Sequence, residues 1–205
     1  MPDNTPAKPA TTTTTPSETD NDRRARERME KLLALPAITS QGTATCGGER
    51  IDYTTSVAFL PVVNEGLAST GEPQAAVMTT AYLKSGAAAA TRPVCFAFNG
   101  GPGSASIWLH LGALGPKRVV VPDDGSMPRA PYGVQDNPHS WFEHFDLVFI
   151  DPPHTGWSLT ASEAARKKML SVDGDVDALA EVMPKPQDAR PTIGRNDPES
   201  CAGAQ

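Results

Sequence analysis

The run Phe98-Asn99-Gly100-Gly101-Pro102-Gly103-Ser104 follows the apolar stretch Pro93-Val94-Cys95-Phe96-Ala97, so a strand is expected to end in a turn with bare backbone N–H groups. Three glycines admit φ angles closed to other residues and let a ligand approach the main chain. Pro102 fixes φ and removes one donor, so the free N–H groups gather ahead of it. Such a turn suits negative charge, either a carboxylate or the oxyanion formed when a nucleophile attacks a carbonyl. Acyl transfer would also need a nucleophile on a strained strand-to-helix elbow of the form Gly-x-Ser-x-Gly. The 205 residues contain no such stretch. Gly156-Trp157-Ser158-Leu159-Thr160 lacks the second glycine, and Ser104 belongs to the glycine turn itself.

The surrounding elements must position that turn. Residues 93–98 read as a nearly continuous apolar strand of the central type, and residues 106–111 as a short helix ended by Gly112 or Gly115. Residues 51–60 and 75–83 read as an antiparallel strand pair joined by a Gly/Ser/Thr/Pro-rich link, and residues 117–121 as a short strand. The proline-rich segment 122–138 reads as surface loop, and Asp146-Leu147-Val148-Phe149-Ile150-Asp151 as a second strand of the central type. Residues 162–170 fit an amphipathic helix, and Val172, Val176, Leu179 and Val182 mark a last helix, with Asp residues at its positive end. Near the start, residues 22–33 are rich in helix formers, with Met29, Leu32 and Leu33 at helical spacing until Pro36 stops them. Glu27 and Glu30 interrupt the arginine run there, which therefore reads as a solvated face. Trp108, Trp141 and Phe149 read as core or turn packing. The expected class is α/β, a mixed sheet with antiparallel N-terminal strands followed by central parallel strands.

Length and a net charge of −6 argue for one folded domain and against a nucleic-acid footprint. Residues 1–21 are Thr/Pro-rich with no large apolar side chain after Met1, so they are expected to form a disordered tail. The folded part is expected over residues 22–182. Pro184, Pro186, Pro191 and Pro198 forbid helix beyond it, so residues 183–205 read as an irregular tail. Cys46, Cys95 and Cys201 are odd in number and widely spaced, which gives neither a disulfide framework nor a metal site, and no cofactor is expected. The chain shows neither a secretory signal nor a membrane-length apolar run. A cytoplasmic location is the default expectation, with secretion left open if the start is misplaced.

Three blocks together carry a resemblance. The first is Phe98-Asn99-Gly100-Gly101-Pro102-Gly103-Ser104-Ala105-Ser106 with Trp108-Leu109, and the second is Asn137-Pro138-His139-Ser140-Trp141. The third is Asp146-Leu147-Val148-Phe149-Ile150-Asp151-Pro152, ending in Thr155-Gly156-Trp157-Ser158. In order and approximate spacing they resemble the serine carboxypeptidase-like peptidases, over residues 51–182. The resemblance implies an α/β-hydrolase fold and release of a C-terminal amino acid by a Ser-Asp-His triad. It implies that Asn99 and Gly100 hold the substrate's terminal carboxylate and that the Gly101 N–H is one oxyanion donor.

The chain departs from the pattern at His154, where the family has glycine, and at His139, where an aromatic residue is common. Neither is read as a catalytic base, and Asp146, Asp151 and the four histidines do not replace the missing triad. The expectation is therefore an incomplete α/β-hydrolase fold, the N-terminal portion of such a peptidase, with triad absent and inactive alone. Residues 183–205 would be a foreign tail from a frameshift or misplaced boundary. Two other readings stay open, an acyltransferase of the same family and a non-catalytic carboxylate- or peptide-binding fragment. The expected partner is a peptide C-terminus, with no nucleic acid and no membrane, and self-association is expected through an exposed sheet edge.

Overall fold

Side chains alternate along the strands of one large sheet, and that alternation sorts the core into two layers. The computed structural model describes residues 19–63, 71–86, 92–100, 103–122, 124–128 and 130–183. The elements begin with α1 (Asp20–Leu33), β1 (Ile38–Cys46), β2 (Glu49–Val62), β3 (Ala75–Lys84) and β4 (Val94–Ala97). Then come α2 (Ile107–Leu109), running into a π-type turn (His110–Leu114), and the two short strands β5 (Lys117–Val119) and β6 (Val134–Asp136). A 3₁₀ turn (Trp141–Glu143), β7 (Asp146–Ile150), β8 (Leu159–Thr160), α3 (Glu163–Met169) and α4 (Val172–Val182) follow.

The sheet order is β1-β2-β3-β7-β4, with β8 also pairing β3. The pairs β1–β2, β2–β3 and β3–β7 are antiparallel, whereas β4 and β7 run parallel, Val94 opposite Asp146 and Ala97 opposite Phe149. The mixed α/β sheet expected from the sequence is therefore present. On one face Val62, Val77, Val148 and Ile150 pack under Met169 of α3 and Leu179 and Val182 of α4. On the other, Ile51, Tyr53, Leu147 and Phe149 pack with Phe142, while Met29 of α1 meets Ala76 and Ala161. With a layer on each side, every residue of β7 is buried.

Several expectations need correction. The chain forms an additional strand, β1, whose Thr- and Gln-containing sequence is largely exposed and shows no apolar alternation. Its signal was the Gly47-Gly48 pair, which closes the two-residue hairpin between Cys46 and Glu49 with φ of 57° and 84°. Positive φ at both positions is the turn whose twist matches paired strands. Segment 122–138 is not loop throughout, because β6 pairs with β5 and the Lys117 ammonium meets the Asp136 carboxylate.

β4 is half-buried at Val94, Cys95 and Phe96, unlike a central strand, because β7 is its single neighbour among the described residues. Val172 and Val176 of α4 are exposed, and the buried face is Gly174, Ala178, Leu179 and Val182. The first helix begins at Asp20, capped by the Thr19 hydroxyl accepting from the Asp22 amide at 3.1 Å, so residues 19–21 belong to the fold rather than to a tail. At the other end Met183 still donates its amide to the Leu179 carbonyl at 3.0 Å, and residues 1–18 and 184–205 lie outside the described ones. Among the described residues no helix is long and apolar enough to cross a membrane.

Among the described residues, two buried side-chain polar atoms have no hydrogen-bond partner, Arg166 Nε and the Ser56 hydroxyl. The Ser56 hydroxyl, on the fully buried residue opposite Ala81, makes no hydrogen bond. Ser56→Ala is expected to stabilise the protein by about 1 kcal/mol, because an unpaired buried hydroxyl costs its desolvation. Urea unfolding checks this, and a destabilised variant would show that the hydroxyl has a partner.

Candidate active site

The glycine turn leaves β4 at its carboxyl end, beside the carboxyl end of β7. In open α/β sheets, ligands bind outside the carboxyl ends of parallel strands. The Asn99 backbone amide is not bare: it donates to the Ser106 hydroxyl at 3.0 Å. That hydroxyl in turn donates to the Ile150 carbonyl, and the Ser106 amide donates to Asp151 Oδ1 at 2.9 Å. The expectation of bare backbone N–H groups in the turn is thus corrected for Asn99. Gly100 is exposed, and among the described residues nothing hydrogen-bonds its amide or the Asn99 side chain. Gly101 lies outside the described residues.

The second sequence block finishes what the first begins. A π-type turn leaves its last carbonyls without intrahelical donors. Asn137, buried, gives its Nδ2 to the carbonyls of Ala113 at 2.7 Å and Gly115 at 2.9 Å, while its Oδ1 accepts from the His139 amide. The Ser140 hydroxyl donates to the Leu114 carbonyl at 2.7 Å and accepts from the Phe142 amide. Three consecutive orphan carbonyls are thereby satisfied from one short segment. His139 itself is exposed. Trp108 and Trp141 are 72% and 49% exposed, so of the three aromatics read as packing residues only Phe149 lies in the core.

The third block holds the other end. Asp151 follows β7, and its Oδ2 lies 3.4 Å from the Trp157 amide. The Ser158 hydroxyl accepts from the Met78 amide at 2.9 Å and donates to the Asp151 carbonyl at 2.8 Å, which excludes it as a poised nucleophile. Gly156 has φ of 52°, and a Cβ there would stand 2.0 Å from Asp151 Oδ2. Gly156→Ala is expected to cost about 2 kcal/mol, since a left-handed backbone at a residue with Cβ costs roughly 1–2 kcal/mol and the carboxylate must also move. Thermal unfolding tests it. His154 takes φ of 61°, so the turn keeps a glycine-type backbone although the side chain is histidine. Burial, and then the nearby Arg166, hold its imidazole below the usual histidine pKa.

Under α2 lies a cavity of about 300 Å³ walled by Thr80, Ser106, His110, Phe149, Asp151 and Trp157. The His110 ring stacks on Phe149 with centroids 4.5 Å apart, and its Nε2 is 2.7 Å from the Tyr82 hydroxyl. Burial pushes His110 down to about 4 and Tyr82 up to about 12, Tyr53 adding to the latter, so both are neutral near pH 7. Among the described residues no three His, Cys, Asp or Glu side chains come together to hold a metal.

The structure therefore joins the three blocks into one hydrogen-bonded unit around residues 99–100 and 103–115, with Asn99 and Gly100 at its surface. Sequence reasoning missed Ser106, Asp151 and Asn137 as the residues that hold this unit. Their signal was present, since each stands inside a block, but a motif does not say which of its members bond to one another. A family model described as serine carboxypeptidase matches residues 66–181, more than half of the chain. No curated protein matches it.

Proposed function

Because this chain belongs to the serine carboxypeptidase family, we propose that its Asn99 turn is the part of a peptidase site that receives the C-terminal carboxylate of a peptide. The observation that carries this reading is the pairing of a fixed Asn99 backbone with a side-chain amide that has no hydrogen-bond partner among the described residues. In this reading the Asn99 side-chain amide and the Gly100 N–H donate to the carboxylate, interactions strengthened by the ligand's charge. The Gly101 N–H supplies one oxyanion donor, and loss of one such donor typically costs roughly 3–4 kcal/mol of transition-state stabilisation.

These residues do not carry out turnover alone, since the sequence holds no nucleophile elbow and half an oxyanion hole stabilises no tetrahedral intermediate it cannot form. Both edges of β7 are occupied, by β3 and β4. A parallel strand entering by a right-handed crossover from α4 would therefore pair along the edge of β4 that no described strand occupies, which brings a nucleophile beside the Asn99 turn. Without such a strand, the same edge favours association of one copy with another.

The test is titration of the 205-residue chain with a peptide free acid and its C-terminal amide. A clear preference for the acid is expected, and equal binding would sink the carboxylate reading. Labelling with a fluorophosphonate probe is expected to leave every serine unmodified. Stoichiometric modification of one serine would show that the chain does contain a working nucleophile.

A further inference from the structure

We infer that Asp151 is a positioning residue for the Asn99 turn, acting through Ser106 to aim the Asn99 side chain and the Gly100 amide at a ligand carboxylate. The inference rests on the carboxylate-binding reading above and deepens it. A turn built on glycine has little of its own to fix its backbone, because it lacks side chains to pack and has much conformational freedom to lose. Its order must come from neighbours. Asp151 Oδ1 accepts the Ser106 amide at 2.9 Å, which sets the residue that begins the helical turn. The Ser106 hydroxyl directs its proton to the Ile150 carbonyl, so its lone pairs face the Asn99 amide at 3.0 Å. Turning that hydroxyl round would leave a buried carbonyl without a donor, so its polarity is fixed.

The acid is held in place from its other side as well. Trp157 offers its amide to Oδ2 at 3.4 Å, and the absent side chain at Gly156 leaves room for that oxygen. A carboxylate suits this position because it accepts from both segments and carries no N–H to face either amide. Asparagine keeps one acceptor for Ser106, whereas alanine keeps none. Asp151 touches no ligand in this arrangement, and its influence on binding passes through two hydrogen bonds.

The test compares Asp151→Ala, Ser106→Ala and Asp151→Asn with the wild-type 205-residue chain. Two readouts are used, hydrogen exchange at the Asn99 amide and the ratio of affinities for a peptide free acid and its amide. Both alanine variants are expected to speed exchange at Asn99 by about tenfold, the effect of one hydrogen bond lost, and to bring the affinity ratio close to one. Asp151→Asn is expected to retain most of both. Leu179→Ala, which weakens the opposite layer, should speed exchange in β3 yet leave the ratio intact, which separates positioning from general loss of stability. If Asp151→Ala does not fold, Ser106→Ala decides. Unchanged Asn99 exchange in the alanine variants, or a ratio that survives in them, overturns the inference. A wild-type chain that binds acid and amide equally, with exchange still accelerated in the variants, removes the carboxylate reading alone and upholds the link from Asp151 to Asn99.

Discussion

Replacing Arg92 by methionine is expected to lower the unfolding free energy by about 3–5 kcal/mol, the usual cost of leaving a buried charge without its partner. The Arg92 and Asp146 side chains are 11% and 10% exposed, and Nε meets Oδ1 at 2.9 Å. The guanidinium also donates to the carbonyls of Phe142, Glu143 (3.2 Å) and Phe145 (2.8 Å), and it lies 5.3 Å from the centre of the Phe142 ring. Asp146 Oδ1 further accepts the Lys84 amide at 3.0 Å. One side chain thus ties the entry of β4 to the 3₁₀ turn and to β7, the strand beside it. Methionine fills the stem's volume but takes the guanidinium donor from three carbonyls and leaves the Asp146 carboxylate without its counter-charge. Adding Asp146→Asn removes the uncompensated charge while keeping an acceptor for Lys84, so the double variant is expected to recover at least a third of the loss. Urea denaturation of the single and double variants measures this, and a single-variant loss under about 1 kcal/mol would mean that the pair is solvated in solution.

Acid should weaken the fold through His110. Its imidazole is held at about 4 by burial, against an ordinary value of 6.5, so it is neutral in the folded state and protonates readily in the unfolded chain. Between those two values the unfolded state binds more protons, and stability therefore falls as pH falls. The contribution is complete above about pH 6.5 and is lost progressively toward pH 4, amounting to roughly 3 kcal/mol at most. His154, also lowered, adds a smaller contribution of the same sign. Asp136, held below the ordinary carboxylate value by Lys117 and by the Thr45 amide, loses its contribution only at still lower pH.

The site would feel the loss directly, because His110 opens the π-type turn that follows α2 and lines the cavity shared with Asp151. His110→Leu is expected to cost about 1 kcal/mol at pH 7, through the unpaired Tyr82 hydroxyl, and to flatten most of the stability change between pH 6.5 and 4. Stability against pH for both proteins settles it; an unaltered slope in the variant would assign the acid sensitivity elsewhere.

Much of the architecture was legible before any coordinates. β2 and β3 showed as β-rich runs, β7 as a continuous apolar run bounded by Asp146 and Asp151, and α4 as a helix stopped at Pro184. These signals are local, since strand and helix periods are written in neighbouring residues. β1 was hidden because an exposed edge strand needs no apolar alternation, and only its Gly47-Gly48 turn betrayed it. The face of α4 was misjudged for a related reason: Val172 and Val176 fit a helical stripe, but which stripe turns inward depends on what lies beneath it.

The sequence by itself determined the family, the strand-turn-helix that presents Asn99 and Gly100, and the lack of a nucleophile elbow among these residues. All three are matters of which residues stand next to each other. Only the tertiary structure decided that the Asn99 amide is taken by Ser106, that Asp151 holds Ser106, and that Arg92 is clamped to Asp146 across 54 positions. The physical reason is that hydrogen-bond partners and buried charges are chosen by proximity in space. Such pairings appear once β4 and β7 have been laid side by side.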